Sequence, residues 1–361
     1  MRSALQSAGG FRLFDSLASL YSFAPMKLIT RPALKRLAFL FLLLGVIVLC
    51  FWWAMIRMPG KSFRGPLPPL TAEQAVLRDE LRRHVEKLGG EIGERNVYLP
   101  KKLAAAANYI ESTFTNAGHT VSRQSYVVSG ETCHNLEVEI RGASRLEEIV
   151  VIGAHYDSVQ GAPGANDNGS GTAAVLALAK SSALQKPART LRFVAFVNEE
   201  PPFFWTTNQG SLVYATRCRE RGEKIVSMLS LETMGYYRDE KGSQKYPFPL
   251  GAFYPSRGDF LAFVGNTANA GLVRRCVRTF RAEAKFPSEG GALPSSLPGI
   301  GWSDHSSFWE AGYPAIEVTD TAIFRYPHYH LETDTPDKLD YDRFARVVEG
   351  VGKVIGDLVN H

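Results

Sequence analysis

Apolar positions along the chain follow three successive rhythms. From Leu37 to Ile56 they form one uncharged run, LAFLFLLLGVIVLCFWWAMI, about the 20 residues a helix needs to cross a bilayer. Beyond it, PGKSFRGPLPP from Pro59 to Pro69 has the proline, glycine and basic content of a semi-extended tether. Helical spacing then starts at Thr71, with Glu73 and Gln74 close behind and Leu77, Leu81, Val85 and Leu88 recurring on one face. A second helix runs through Leu103, Ala107 and Ile110 to a stop near Gly118. Residues 121–128 and 136–140 alternate as half-exposed strands, whereas 149–152 and 191–197 are short apolar runs of the kind buried on both faces. A helix over 173–184 separates those two runs. Residues 225–231, a helix near 272–282, a strand at 315–318 and a helix from Tyr341 complete the order. Strand, helix and strand in alternation predict the α/β class: a three-layer sandwich with a central mixed, mostly parallel β-sheet flanked by helices, preceded by one transmembrane helix. The expected divisions are a cytoplasmic segment over 1–36, with Met26 as a second plausible start, a membrane anchor over 37–56, a linker over 57–70 and the globular domain over 71–361.

Charge sharpens the amino-terminal part of this picture. The chain carries a net +5, yet residues 1–64 hold nine Lys or Arg against the single acid Asp15, so everything after them is net acidic. Basicity confined to one end is a topology signal; a nucleic-acid binder would spread it over a folded face, and that class is excluded. Lys35 and Arg36 precede the apolar run and Trp52 and Trp53 lie near its far end, as for a basic cytoplasmic flank and an interfacial aromatic anchor. A cleaved signal peptide is the rival, but the run is long for one and no A-x-A-like site follows. The expectation is therefore a retained single-pass anchor in the lipid bilayer, with the globular domain on the periplasmic or extracellular side. Apolar content of 45% with 21% charged residues suits a globule with a sizeable core. Cys133, Cys218 and Cys276 outside the apolar run suit neither a disulfide framework nor a cysteine zinc site.

Residues with chemistry cluster where the predicted central strands end. The run at 149–152 leads into His155 and Asp157, the run ending at Val197 into Glu199 and Glu200, and the run ending near Leu231 into Glu232. Open α/β sheets place their sites at that edge, and His with carboxylates is a metal-binding set. In His155-x-Asp157 the carboxylate can reach the imidazole nitrogen that faces away from a metal, although the string alone also fits a surface strand end. GAPGANDNGSG over 161–171 is a glycine-dense loop opening a helix, with Asp167 at its centre. Its only charge is negative and no Walker lysine follows, so it suits bridging two cations better than holding phosphate. Adjacent acids at a buried strand end, Glu199 and Glu200, repel unless a cation compensates. One can serve as ligand and the other as general base, the division of labour that metal-assisted hydrolysis requires; a solvated acidic turn before Pro201-Pro202 is the plainer alternative.

The strings VVIGAHYDSV, GANDNGSGTAAVLALA, FVNEE, SLETMGYY, SDHSSFWEAGYPAIEVTDT and HYHLETDTPDKLD, in that order, resemble the motifs of the dizinc aminopeptidases, family twenty-eight of the metallopeptidases. The likeness runs from about Leu88 to the carboxy terminus and takes in GEIGERN near Gly90. It implies two Zn2+ ions, with His155 and Glu232 on one, Glu200 and His330 on the other, and Asp167 bridging. It further implies Glu199 as general base, Asp157 orienting His155, and Tyr329 donating a hydrogen bond to the developing oxyanion. His330 fits the ligand position better than His328 because Asp334-Thr335 follows it by a few residues, and His305 supports the pocket without ligating. The implied activity is a zinc-dependent exopeptidase, an aminopeptidase acting on peptides with a free N-terminus, which would make 71–361 its catalytic domain. Two departures stand out: Glu232 where many relatives have Asp, and PPFFWTTNQ over 201–209, whose aromatics either shape the substrate pocket or pack. A single-zinc glutaminyl cyclase of the same fold and a catalytically inactive tethered binding domain are the competing expectations.

Overall fold

The computed structural model describes residues 30–361; the expected amino-terminal tail and alternative start at Met26 lie outside them. Internal contacts divide the chain after Cys50. Helix α1 (Arg31–Phe51) is apolar and exposed along its described length. With the wide turn Trp52–Ile56 it makes one helix long and apolar enough to cross a membrane, a test that a signal sequence also passes.

The second unit, from Phe51 onward, is built on eight strands and seven helices. In chain order these are α2 (Ala72–Val85), α3 (Pro100–Asn116), β1 (Val121–Val128), β2 (Glu131–Ile140), β3 (Arg145–His155), α4 (Gly169–Ser182), β4 (Arg189–Phe196), α5 (Gly210–Glu220), β5 (Lys224–Glu232), β6 (Leu261–Asn266), α6 (Ala270–Glu283), β7 (Ser288–Leu293), α7 (His305–Glu310), β8 (Ala315–Thr319) and α8 (Tyr341–Asn360). One sheet orders them β1-β2-β4-β3-β5-β8-β6-β7. Its centre, β4-β3-β5-β8, is parallel, while β1-β2, β2-β4 and β6-β8 are antiparallel. The sandwich with a mixed, mostly parallel sheet expected from the strand pattern is the observed fold.

Strand alternation explains the three layers. On β3, Val150, Ile152 and Ala154 feed a core with residues of α2, α3, α4, α6 and α8, and Leu191, Phe193 and Ala195 of β4 join them. The intervening Ile149, Val151, Val194 and Phe196 face the other way and pack with Tyr214 of α5 and Phe308 of α7. Both faces of the central strands are covered, which is why those segments read as unbroken apolar runs. Helix α2 starts where Thr71 and Gln74 cap each other reciprocally: the Thr71 hydroxyl accepts from the Gln74 amide and the Gln74 side chain accepts from the Thr71 amide. Strands β6 and β7 and helix α5 carry too little pattern to be read from sequence; β7 is SEGGAL, whose glycines and acid argue against a strand until its neighbours cover it.

Residues 57–70, read as a tether, form no helix or strand and lie along this unit. The Ser62 hydroxyl accepts from the Ser288 amide at 2.9 Å, and Met58 and Leu67 rest against the core. Just before them Ile56 is buried among Leu250, Leu293 and Ile300. Truncating a buried isoleucine typically costs about 2–5 kcal/mol, so Ile56→Ala should lower the stability of the detergent-solubilised chain by about 2 kcal/mol or more in urea unfolding. An unchanged midpoint would show that this end of the apolar run is not part of the core.

Candidate metal centre

Strand β3 has parallel neighbours on both sides, so the connections leaving it diverge and open a crevice at its carboxy-terminal end. His155 is its last residue and Glu232 the last of β5; Glu199 and Glu200 follow β4, Asp167 lies in the loop before α4, and His330 in the loop before α8. Five of these six side chains are more than nine-tenths buried, and His330 closes the site from the solvent side. His155 Nε2 stands 3.2 Å from Glu232 and 3.4 Å from Asp167 Oδ1; His330 Nε2 stands 3.1 Å from Asp167 Oδ2 and 3.1 Å from Glu200. These form two clusters able to hold a metal ion, His155–Asp167–Glu232 and Asp167–Glu200–His330, joined through Asp167.

The donor set fits metal better than it fits internal pairing. Ligands at about 2.0–2.1 Å around a tetrahedral ion lie roughly 3.3 Å apart, the spacing observed in both clusters. Asp167 Oδ2 and His330 Nε2 are buried, yet neither makes a hydrogen bond of acceptable geometry. They converge on a common point rather than on each other. Buried polar atoms left without a partner are rare unless an ion or water serves them.

Electrostatics agrees. Burial lowers the pKa of His330, but Asp167 and Glu200 outweigh it and hold the imidazole at about 10. Burial raises Asp167, and His155 and His330 together pull it below the usual carboxylate range. Glu200 is pushed up to about 7 by burial and by Asp167. Burial, with Glu200, Asp304 and Glu232 against the opposing His155, lifts Glu199 well above an ordinary carboxyl. Without a cation the site thus retains protons that a metal would displace.

A layer of hydrogen bonds aims these groups. Asp157 accepts from the Glu199 and Glu200 amides at 3.2 Å each, while its Oδ1 lies 3.5 Å from His155 Nδ1. Its hydrogen bonds therefore go to the Glu199-Glu200 turn. Glu232 accepts from Ser303 Oγ at 2.9 Å and Asn168 Nδ2 at 3.1 Å, and Glu200 accepts from the Val159 amide. Asp334 accepts from the amides of Asn166 and Asp167, fixing the bridging loop. Gly171 lets the start of α4 approach β5: a Cβ there would lie 2.1 Å from the Leu231 carbonyl oxygen. Asn198, Thr233 and His330, beside or within the clusters, all have positive φ, at 60°, 40° and 59°. Asparagine and histidine tolerate such backbone better than most residues, whereas at β-branched Thr233 it is strained and held by the surrounding contacts.

Arg95, from GEIGERN, is the buried counterweight that sequence reading did not single out. Its guanidinium is wholly enclosed and donates to the carbonyls of Tyr156, Leu88, Gly93, Pro163 and Gly164. Burial lowers its pKa to about 10, with Asp157, Asp334, Asp167 and Glu200 acting against the drop. An arginine five residues after a glycine pair carries no local signal of that placement. Tyr329 stacks on the His330 ring, centroids 3.9 Å apart. His328 instead meets Thr333 Oγ1, outside both clusters, and His305 bonds the Ile300 carbonyl, its imidazole kept neutral by burial. In 201–209, Phe203 packs on the core, while Trp205 stacks on Phe204 and donates to the Gly301 carbonyl.

Two imidazoles and three carboxylates gathered at the edge of an α/β sandwich define a metal-dependent hydrolase. The chain belongs to peptidase family M28, whose sequence model matches residues 135–355. It is 34% identical over 330 residues to YfbL of Escherichia coli (strain K12), an uncharacterised protein, covering 88% of this chain and 98% of that one. It is 29% identical over 232 residues to leucine aminopeptidase 1 of Arthroderma otae, covering 59% of this chain and 54% of the relative, so it spans about half the length of that protein. In fold it matches a zinc aminopeptidase of Bacillus subtilis with a TM-score of 0.63 at 16% identity, covering 78% of this chain and 95% of that one. It matches a glutaminyl cyclase of Fimbriiglobus ruber with a TM-score of 0.58 at 21% identity, covering 81% and 97%.

Metal ligands bind in their deprotonated form, so uptake must release protons. Because metal-free His330 keeps its proton up to a pH near 10, zinc binding at pH 7 should release about one proton or more, and apparent affinity should rise with pH across the range below that pKa. Calorimetric titration in buffers of different ionisation enthalpy measures this; a buffer-independent heat would contradict it. Asp334→Ala should weaken zinc retention against a competing chelator by about 10–100-fold, and an unchanged affinity would remove Asp334 from the support of the site.

Proposed function

We propose that this family M28 member is a membrane-anchored aminopeptidase that uses two zinc ions and removes residues from the free N-terminus of peptides. The observation that carries this reading is the geometry of Asp167, whose two carboxylate oxygens face different histidines and so join two ligand clusters. The names of the fungal leucine aminopeptidases similar to this chain support the substrate class.

His155 and Glu232 would hold one ion, Glu200 and His330 the other, with Asp167 between them. Zinc there would supply Lewis acidity for the scissile carbonyl and lower the pKa of the attacking water. Glu199 belongs to neither cluster, and its carboxylate lies 3.7 Å from His155 Nε2. It takes the proton from the attacking water and returns it to the leaving amine. The hydrogen bonds that Asp157 accepts from the Glu199 and Glu200 amides hold the backbone from which Glu199 projects. Tyr329, fixed by its stack on His330, donates to the oxygen on which negative charge develops.

Retention of the apolar helix as an anchor draws support from Ile56. Cleavage beyond the apolar run would remove a side chain that packs in the catalytic unit. With Lys35 and Arg36 before the helix, the orientation that follows puts the amino-terminal segment in the cytoplasm and the catalytic unit on the other side.

Glu199→Ala should keep its zinc yet lose about 10²–10⁴-fold in turnover. The full chain in detergent, incubated with unblocked, N-acetylated and Gln-initiated peptides with and without chelator, gives the reading by mass spectrometry. Stepwise, chelator-sensitive loss from unblocked peptides alone is expected. Ammonia loss from the Gln peptides without shortening would indicate cyclase chemistry instead, and near-normal turnover in Glu199→Ala would remove Glu199 as the base.

A further inference from the structure

The metal centre borders a pocket whose floor is one face of β5, β8, β6 and β7. Register sets Glu232 opposite Thr319, Thr319 opposite Ala262 and Ala262 opposite Glu289. In the next row of that face Ser230, Glu317, Val264 and Gly291 stand side by side. Opposed residues share a face, so Glu317 rises from the same floor as the ligand-cluster residue Glu232. Glu232 and Tyr329 border the pocket on the metal side; Tyr246, Leu250, Phe260 and Ile300 contribute apolar walls. The empty space of the pocket, counted out into open solvent, is about 850 Å³.

Glu317 is the anomaly in that lining. The residue is 6% exposed, and among the described residues its carboxyl has neither a hydrogen-bond donor nor a cation beside it. The charges nearest to it are acids, Glu232 and Asp320, which together with burial drive its pKa well above the usual range. Glu289, a further acid in the lining, is different: it has Arg281 at 3.5 Å. The carboxyl opens into the pocket, and an acid so enclosed without a donor gains when a ligand brings one. A purely apolar ligand would enclose it further and leave it unpaired.

We propose that this pocket receives the side chain of the substrate's first residue and that Glu317 selects lysine or arginine there. The inference rests on the aminopeptidase reading of the adjoining site. The aliphatic stem lies along the apolar walls and the cationic end meets the Glu317 carboxylate, completing a charge-assisted hydrogen bond that the empty pocket lacks.

The test compares peptides identical except for lysine, arginine or norleucine at the first position, norleucine being lysine without its amine. With the zinc-loaded full chain in detergent, kcat/KM for the lysine peptide should exceed that for norleucine by about tenfold or more. Glu317→Gln and Glu317→Leu should both reduce that ratio by about tenfold or more. Removing an unpaired buried acid relieves a destabilising group, so neither variant should unfold at lower temperature, and the near-isosteric Gln guards against a packing effect of Leu. Norleucine peptides shortened at least as well as lysine ones, with a ratio indifferent to both substitutions, would overturn the assignment while leaving the aminopeptidase reading intact. Calorimetric binding of L-lysinamide against norleucinamide gives a readout independent of turnover. Preferential, Glu317-dependent lysinamide binding without cleavage of any peptide would keep the pocket assignment and refute the peptidase reading; no preference for lysinamide would refute the pocket assignment.

Discussion

Like charges brought together in a dry place set the terms for the rest of this structure. Asp167, Glu199, Glu200 and Glu232 are all buried at one edge of one sheet, with Asp157 and Asp304 behind them. Such a group repels itself and shifts its own pKa values upward unless cations balance it. The chain supplies part of the balance through His155, His330 and the enclosed Arg95. Those donors do not complete it: burial still holds the Glu199 and Glu200 carboxyls above their usual range, and Asp167 Oδ2 and His330 Nε2 stand 3.1 Å apart without a hydrogen bond. Divalent ions held by the two clusters would complete it.

The sheet exists in the form that makes such crowding tolerable. Three parallel strands, β4, β3 and β5, end side by side, so five of the site's side chains, Asp157 included, lie at or within a few residues of the strand ends and share one edge. Helices cover both faces of those strands and supply the core that offsets the electrostatic penalty. The glycine-dense loop then lies across the top, drawn close by Gly171 and pinned by Asp334 and Arg95. Positive φ at Asn198, Thr233 and His330 marks where the backbone is bent to aim the side chains.

Much of this was legible in sequence because it depends on local order. Apolar runs buried on both faces announced β3, β4 and β5, and the acids or histidine directly after them announced the edge where chemistry sits. The choice of His330 over His328 came from the family resemblance, in which the ligand histidine precedes an Asp-Thr pair, and His330 stands beside Asp167 and Glu200. What sequence could not convey depends on contacts between distant segments. Arg95 meets Gly164 across 69 residues and Asp334 meets Asp167 across 167; neither carries a spacing signal. Strand β7 is a strand only because β6 pairs with it and α6 packs on it. Glu317, lying in a five-residue strand otherwise apolar or Thr, reads as an ordinary alternation until the register shows it facing a pocket. The Ile56 end of the apolar run looked like membrane and is partly core.

Anomalous scattering at the zinc edge, from crystals of the zinc-loaded protein, tests the central claim most directly. The account predicts two peaks, one on either side of Asp167 and about 3.5–4 Å apart, the first beside His155 and Glu232 and the second beside Glu200 and His330. A single fully occupied peak, with one of the two histidines left outside the coordination sphere, would contradict it.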